Sequence, residues 1–126
     1  MEINIHDKRK IHEIQNDFSI LFPNLKLEFF TVEGEERGGL RNKILVHPTK
    51  EIGECRQVHS KGTVAIKPDM TADSLKHGFK KHFGLHVKVY RKVGEDWLET
   101  IEDILPLEKH NASAHETNSE STLERI

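Results

Sequence analysis

Between Thr71 and Thr100 the spacing of apolar side chains switches from four residues to two, and that switch constrains the chain more than any other feature. Leu75, Phe79 and Phe83 recur near the helical repeat and form one stripe on a helix. Thr71 supplies an N-cap oxygen, and Asp73 a negative charge in the first turn, where the helix dipole favours it. Gly84 stands where a helix closes in the left-handed conformation, with Leu85 behind it as the hydrophobic latch. Gly78 interrupts the stripe at a cost of roughly 1 kcal/mol relative to Ala and is read as marking a close approach to a strand. Val87 and Val89 then alternate with Lys88 and Tyr90, the period of a strand with one buried face. Val93-Gly94-Glu95-Asp96 makes a turn and Trp97-Leu98-Glu99-Thr100 returns as the second strand of a hairpin.

The first half follows the same logic. Ile11, Ile14, Phe18 and Leu21 form a second helical stripe, with Lys10, Glu13 and Asp17 facing water. Asp7 is the expected N-cap, and Pro23 stops the helix because it has no N–H to continue the ladder. Leu25, Leu27 and Phe29 alternate on one face of a strand running to Val32. A charged, glycine-rich loop, EGEERGG, follows. Lys43 to His47 is too short to type, and Pro48 breaks it. Residues 49–62 read as irregular, with Ile52 and Val58 touching the core, and Thr63–Lys67 reads as a strand ending at Pro68. Ile101 to Leu107 adds a last short apolar contact. The expected order is α-β-β-α-β-β: a single α+β domain over residues 1–111, with a mainly antiparallel four-stranded sheet and two helices on one face. Residues 112–126 have no apolar period and are expected to form a disordered polar, acidic tail.

Three segments carry a resemblance: FPNLKLEFF (Phe22–Phe30), DMTADSLKHGFKKHFGLHVKVYRKVGEDWLET (Asp69–Thr100) and LEKHN (Leu107–Asn111). They resemble a family of small bacterial α+β proteins, chiefly from Bacteroidetes, that carry an FPxLKLEFF-like strand and a GLxVxVxRKxGxxWLET-like hairpin and have no established activity. The chain departs from that pattern at Leu105, where similar proteins tend to have Trp, and in the shorter spacing after Thr100. The resemblance implies a small α+β domain and no mechanism.

Cys55 is the only cysteine, which excludes an internal disulfide and fits a reducing compartment. The N-terminus is charged where a signal peptide needs an apolar run, and the apolar runs are far below the ~18–20 residues needed to span a bilayer. A soluble, cytoplasmic protein without membrane contact is expected. His47, His59, His110 and His115 are isolated, and His77, His82 and His86 do not share a helix face, so neither a metal nor a cofactor is expected. For Cys55 to act as a nucleophile it would need His47 or His59 close by; the adjacent Arg56 would lower its pKa. GGLRNK offers a backbone anion nest, usually only a loop, and the acidic pairs Glu35-Glu36, Glu95-Asp96 and Glu102-Asp103 lie in solvated segments.

The charge is unevenly spread. Ser74–Gly94 holds six Lys/Arg and three His without an acid, so the other residues carry 13 bases against 21 acids, −8 beside +6. Lys76, Lys80, Lys81, Lys88, Arg91 and Lys92, with Tyr90, form the candidate binding surface, and Tyr90 and Trp97 are stacking platforms unless Trp97 anchors the core. The first reading is a non-catalytic protein-binding or adaptor module steered by this charge toward an unknown protein partner. The second is RNA or single-stranded DNA binding through the same surface, and the third a small-molecule enzyme. Glu95 to Ile126 carries nine acids and two bases and is either a solvated extension or a cover for the basic face.

Overall fold

The two strands with the strictest alternation become neighbours. The computed structural model describes residues 1–33, 42–100 and 105–112. In chain order it has β1 (Glu2–Ile5), α1 (Ile11–Leu21), β2 (Leu25–Glu33), β3 (Asn42–Leu45), a 3-10 turn (Ile52–Cys55), β4 (Gly62–Ala65), α2 (Ala72–Phe83), β5 (His86–Val93) and β6 (Asp96–Glu99). Residues 107–112 form a further short helix. β2 pairs antiparallel with β5, setting Leu27 opposite Val89 and Phe29 opposite Val87, so both apolar sets fall on one face. β3 and β6 flank them in the order β3-β2-β5-β6.

Both helices lie on that apolar face. Ile11, Ile14 and Phe18 of α1 and Leu75, Phe79 and Phe83 of α2 are buried with Leu25, Leu27, Phe29, Val87 and Val89 in one core. The Phe79 ring meets Phe29 edge-on at 5.8 Å between centroids. The α2 termini are built as the residues require: Thr71 Oγ1 accepts from the Ser74 N–H at 3.1 Å, and Gly84 closes the helix at φ +63°. The Leu85 N–H then reaches the Phe79 carbonyl at 3.1 Å. The hairpin turns through Gly94 at φ +64°, a conformation open to glycine without steric cost.

Several elements differ from the sequence-based expectation. The Thr63–Lys67 strand does not join the main sheet. As β4 it pairs with β1, a strand the sequence reading lacked, in a separate two-stranded ribbon, and the untyped segment at 42–45 supplies the fourth main strand. Ribbon and sheet share one core because Ile3, Ile5, Val64 and Ile66 turn inward. Gly78 marks no close approach: a Cβ there would have nothing within 4 Å. The end of the chain splits as well: Leu107 is buried, Ala112 belongs to the short helix, and the expected tail from 113 onward lies outside the described residues. So do 34–41 and 101–104, with all of the EGEERGG loop but Glu33, most of GGLRNK, and the acidic pairs at 35–36 and 102–103.

Asp7 is not the N-cap of α1. The helix begins after Lys10, whose N–H donates to Glu13 Oε1 at 2.8 Å, while the Ile11 and His12 N–H groups donate to the Lys50 and Pro48 carbonyls. The segment expected to be irregular therefore caps the helix, with Ile52 buried and Val58 left exposed. Asp7 instead accepts from Nε and Nη2 of Arg56 at 3.1 and 2.8 Å through Oδ1, and Oδ2 lies 2.8 Å from His59 Nδ1. The Arg56 side chain has no exposed surface, and its Nη1 donates to the Phe83 carbonyl at 3.0 Å. Gly53 permits this approach, since a Cβ there would lie 2.9 Å from that of Asp7.

The hydrogen bond from Arg56 foremost, with His59 adding to it, holds the Asp7 carboxyl below its ordinary value of 3.8 against the opposing effect of burial. A depressed carboxyl contributes stability that is complete above its unfolded pKa and lost as pH falls through the folded one. The urea-denaturation gap between wild type and Asp7→Asn should therefore be present at pH 5 and close as pH drops below about 3.8. Phe79→Ala, emptying the contact between α2 and the sheet, should cost about 3–5 kcal/mol by the same measurement at pH 7.

Candidate functional site: the open sheet face

A strand that buries alternate residues on one side must present the others on the opposite side. On β2 these are Lys26, Glu28, Phe30 and Val32; the register brings His86, Lys88, Tyr90 and Lys92 of β5 beside them. β3 adds Leu45 opposite Phe30 and Lys43 opposite Val32, and β6 adds Glu99 opposite Tyr90 and Trp97 opposite Lys92. No described helix covers this face, and Lys26, Glu28, Phe30, His86, Lys88 and Tyr90 are all half-buried rather than sealed.

Its rings and cations interleave. Lys26 Nζ lies 5.6 Å from the Tyr90 ring centre and 5.0 Å from that of Trp97. Lys43 and Lys88 each place Nζ 5.4 Å from the Phe30 ring centre, and the His86 ring lies 5.7 Å from it at a tilt of 32°. These are cation–π distances. Four lysines (26, 43, 88 and 92) face two acids, a local +2; Glu28 lies 3.4 Å from Lys26 and Glu99 lies 3.3 Å from Lys88. Tyr90 lies four positions along β5 from the Phe30/His86 pair, roughly 13 Å along the sheet, so the aromatic groups form a diagonal track rather than one cluster.

The sheet divides the basic block of the sequence reading. Lys80 and Lys81 are exposed and Lys76 is half-buried on α2, on the helix side. Lys88, Tyr90 and Lys92 point the opposite way. Arg91 falls on the helix-side parity, between Leu25 and Leu98. The seven residues expected to form one surface thus lie on two sides of a sheet. Trp97 is half-buried on the open face and absent from the core cluster, so of its two expected roles the core one is not what it occupies. Lys26, Phe30 and Lys43 were not singled out from the sequence. The alternation of β2 already set Lys26 and Phe30 opposite the core, but only strand pairing places them against Tyr90 and Trp97.

Cys55 lies in a different place, on an open groove of about 550 Å³ that also touches Glu33, Arg56, Val58 and His86. Its Sγ donates to the Ile52 carbonyl at 3.2 Å. Burial pushes the thiol pKa up and outweighs the opposing charge of Arg56, which reverses the expected lowering. His59 is engaged by Asp7 and His47 Nδ1 by Thr49 Oγ1 at 2.8 Å. Among the described residues no three His, Cys, Asp or Glu side chains converge as metal ligands, and no helix is long and apolar enough to cross a membrane.

No protein-family model matches the chain, and no curated protein or solved structure matches it either. The functional reading therefore rests on the geometry of the site.

Cys55 in the native protein should react with iodoacetamide at pH 7 more slowly than glutathione, with the rate climbing as pH rises toward 9. Mass-spectrometric counting of the alkylated fraction over time measures this.

Proposed function

We propose that the protein binds single-stranded nucleic acid across the open face of its four-stranded sheet. The observation that carries the reading is the track of Phe30, Tyr90 and Trp97, each ring with a lysine ammonium 5.0 to 5.6 Å from its centre. Every base has a π-face, so such rings accept bases without a fixed sequence, at about 1–3 kcal/mol per stacked base. The lysines have long flexible stems. When a base takes the ring face, the ammonium moves off it onto the neighbouring phosphate, keeping its charge paired. Sheet rigidity holds the platforms in place while the lysines adapt. The helix-side bases Lys80 and Lys81 stay outside the contact and add only long-range attraction.

The protein-adaptor reading retains one observation of its own. Leu45 and Ile44 of the edge strand β3 are 63% and 45% exposed, and Leu45 extends the aromatic track with an apolar side chain. A protein partner seated there would bind by apolar contact and respond weakly to salt.

Fluorescence anisotropy with labelled ten-nucleotide oligo-uridine and oligo-thymidine separates the two. Affinity should fall steeply between 50 and 200 mM salt, with a slope of about −0.7 per phosphate contacted. Tyr90→Ala and Trp97→Ala should each weaken binding by roughly 5- to 150-fold, corresponding to about 1–3 kcal/mol. Lys26→Gln and Lys88→Gln should each lower the salt slope by about one contact. No binding at 50 mM salt, or binding indifferent to both ring substitutions, overturns the proposal.

A further inference from the structure

The second site lies on the helix side, away from the open face. In an antiparallel ladder the residue pairs that exchange both hydrogen bonds alternate with pairs that exchange none. Met1 and Ile66 exchange theirs, the Ile66 N–H reaching the Met1 carbonyl at 2.7 Å and the Met1 amine the Ile66 carbonyl at 3.3 Å. With Ile3 opposite Val64 and Ile5 opposite Gly62, it follows that Val64 and Gly62 turn their backbone groups toward β1. Thr63 and Ala65 turn theirs the other way, toward the edge of the ribbon that no described strand pairs.

That edge borders a hollow of about 310 Å³ between β4 and α2, lined among others by Thr63, Ala65, Met70, Leu75, Gly78 and His82. Gly78 belongs to it in a specific sense. Its φ is not positive, and a Cβ would meet nothing within 4 Å, so neither backbone conformation nor internal packing calls for glycine. A helix interior bears a cost for that residue. What its absent side chain leaves is a shallow trough along α2, parallel to two outward-facing backbone rungs.

We propose that this groove takes an extended acidic peptide as an added strand on β4, with one apolar side chain seated over Gly78. Main-chain bonds to Thr63 and Ala65 hold the strand, the mode in which a sheet edge gives affinity and alternate pockets give selectivity. The register dictates the rest. An antiparallel strand centred opposite Val64 points its central side chain the same way as Val64, toward Leu75 and Met70. The residues three positions before and after it then face Lys61 and Lys67, both exposed. Two acids at those positions match two lysines. The same lysines disfavour a second copy of this chain, because β4 pairing with itself about Val64 sets Lys61 against Lys67 at both ends, and like charges directly opposite are destabilising. Lys81, in the last turn of the facing helix, adds a further positive charge.

The probe is the capped heptapeptide Asp-Thr-Thr-Val-Thr-Thr-Glu, beside a control with lysine at both ends, titrated into the full chain and followed by NMR. The acidic peptide should bind at least tenfold more tightly than the control, and at saturation the Thr63 and Ala65 amides should gain protection from exchange. Gly78→Leu, a good helix former that fills the trough, should reduce affinity at least tenfold. Ala65→Pro should do the same, since its lost N–H faces the free edge, where proline is tolerated in a strand. Each variant is scored only with a wild-type-like amide spectrum, and the exchange readout on the unsubstituted protein stands if either fails to fold. Equal binding of the two peptides, no binding, unchanged Thr63 and Ala65 exchange, or protection of those amides by dimerisation without peptide would each overturn the proposal. None of these outcomes bears on the sheet face, whose rings lie on the opposite side.

Discussion

A guanidinium with no exposed surface must find partners for its donors or the chain does not close around it. Arg56 has them in Asp7 and the Phe83 carbonyl, and those two lie far apart in the sequence: one just after β1, the other at the last turn of α2. The contact thereby ties the first strand, the 3-10 segment and the second helix together at one point. Ser60 Oγ, donating to the His82 carbonyl at 2.7 Å, reinforces the same junction. The ribbon of β1 and β4 has only two strands and would be marginal alone. Its position beside α2 follows from this polar junction together with the burial of Ile3, Ile5, Val64 and Ile66. Everything that depends on β4 lying next to α2, the trough over Gly78 included, depends on Arg56 being satisfied.

The main sheet works under a different constraint. It is a barrier one residue thick, with a helix layer on one side and a half-exposed lattice of rings and lysines on the other. A barrier of this kind converts neighbours in sequence into opposites in space. Lys80 and Lys88 are eight residues apart and lie on opposite sides of it, whereas Lys26 and Trp97 are far apart in sequence and in contact. The consequence for recognition is that the molecule has two separate faces of differing chemistry: aromatic and cationic on the open sheet, and backbone-edged with an apolar floor between β4 and α2.

The amino-acid sequence by itself determined the parts whose causes are local. The α2 stripe, its Thr71 cap, the Gly84 closure and the turn at Gly94 all follow from residues within a few positions of one another, and each is present. The alternation of Leu25, Leu27 and Phe29 likewise predetermined which side of β2 would be buried, and by default which side would carry Lys26 and Phe30. β1 and β3 escaped recognition because four-residue strands are too short for a period to declare itself, and the pairing partners of β1 lie 57 to 63 residues away and those of β3 lie 9 to 15. Asp7 was a sound N-cap candidate by type. It was displaced because the Pro48 and Lys50 carbonyls, which no local pattern reveals, take the helix N–H groups instead.

Only the tertiary structure decided where the charge goes. Composition showed a basic block; it could not show that the block is cut by a sheet, because the cut depends on the register between β2 and β5, a long-range choice made by the core. Nor could spacing show that Cys55 would be buried enough for desolvation to outweigh the arginine beside it. Periodicity within a helix or strand is set by backbone geometry and survives in the sequence as a pattern. The meeting of distant segments is set by which apolar faces and buried charges can be satisfied together, and that is a property of the whole fold.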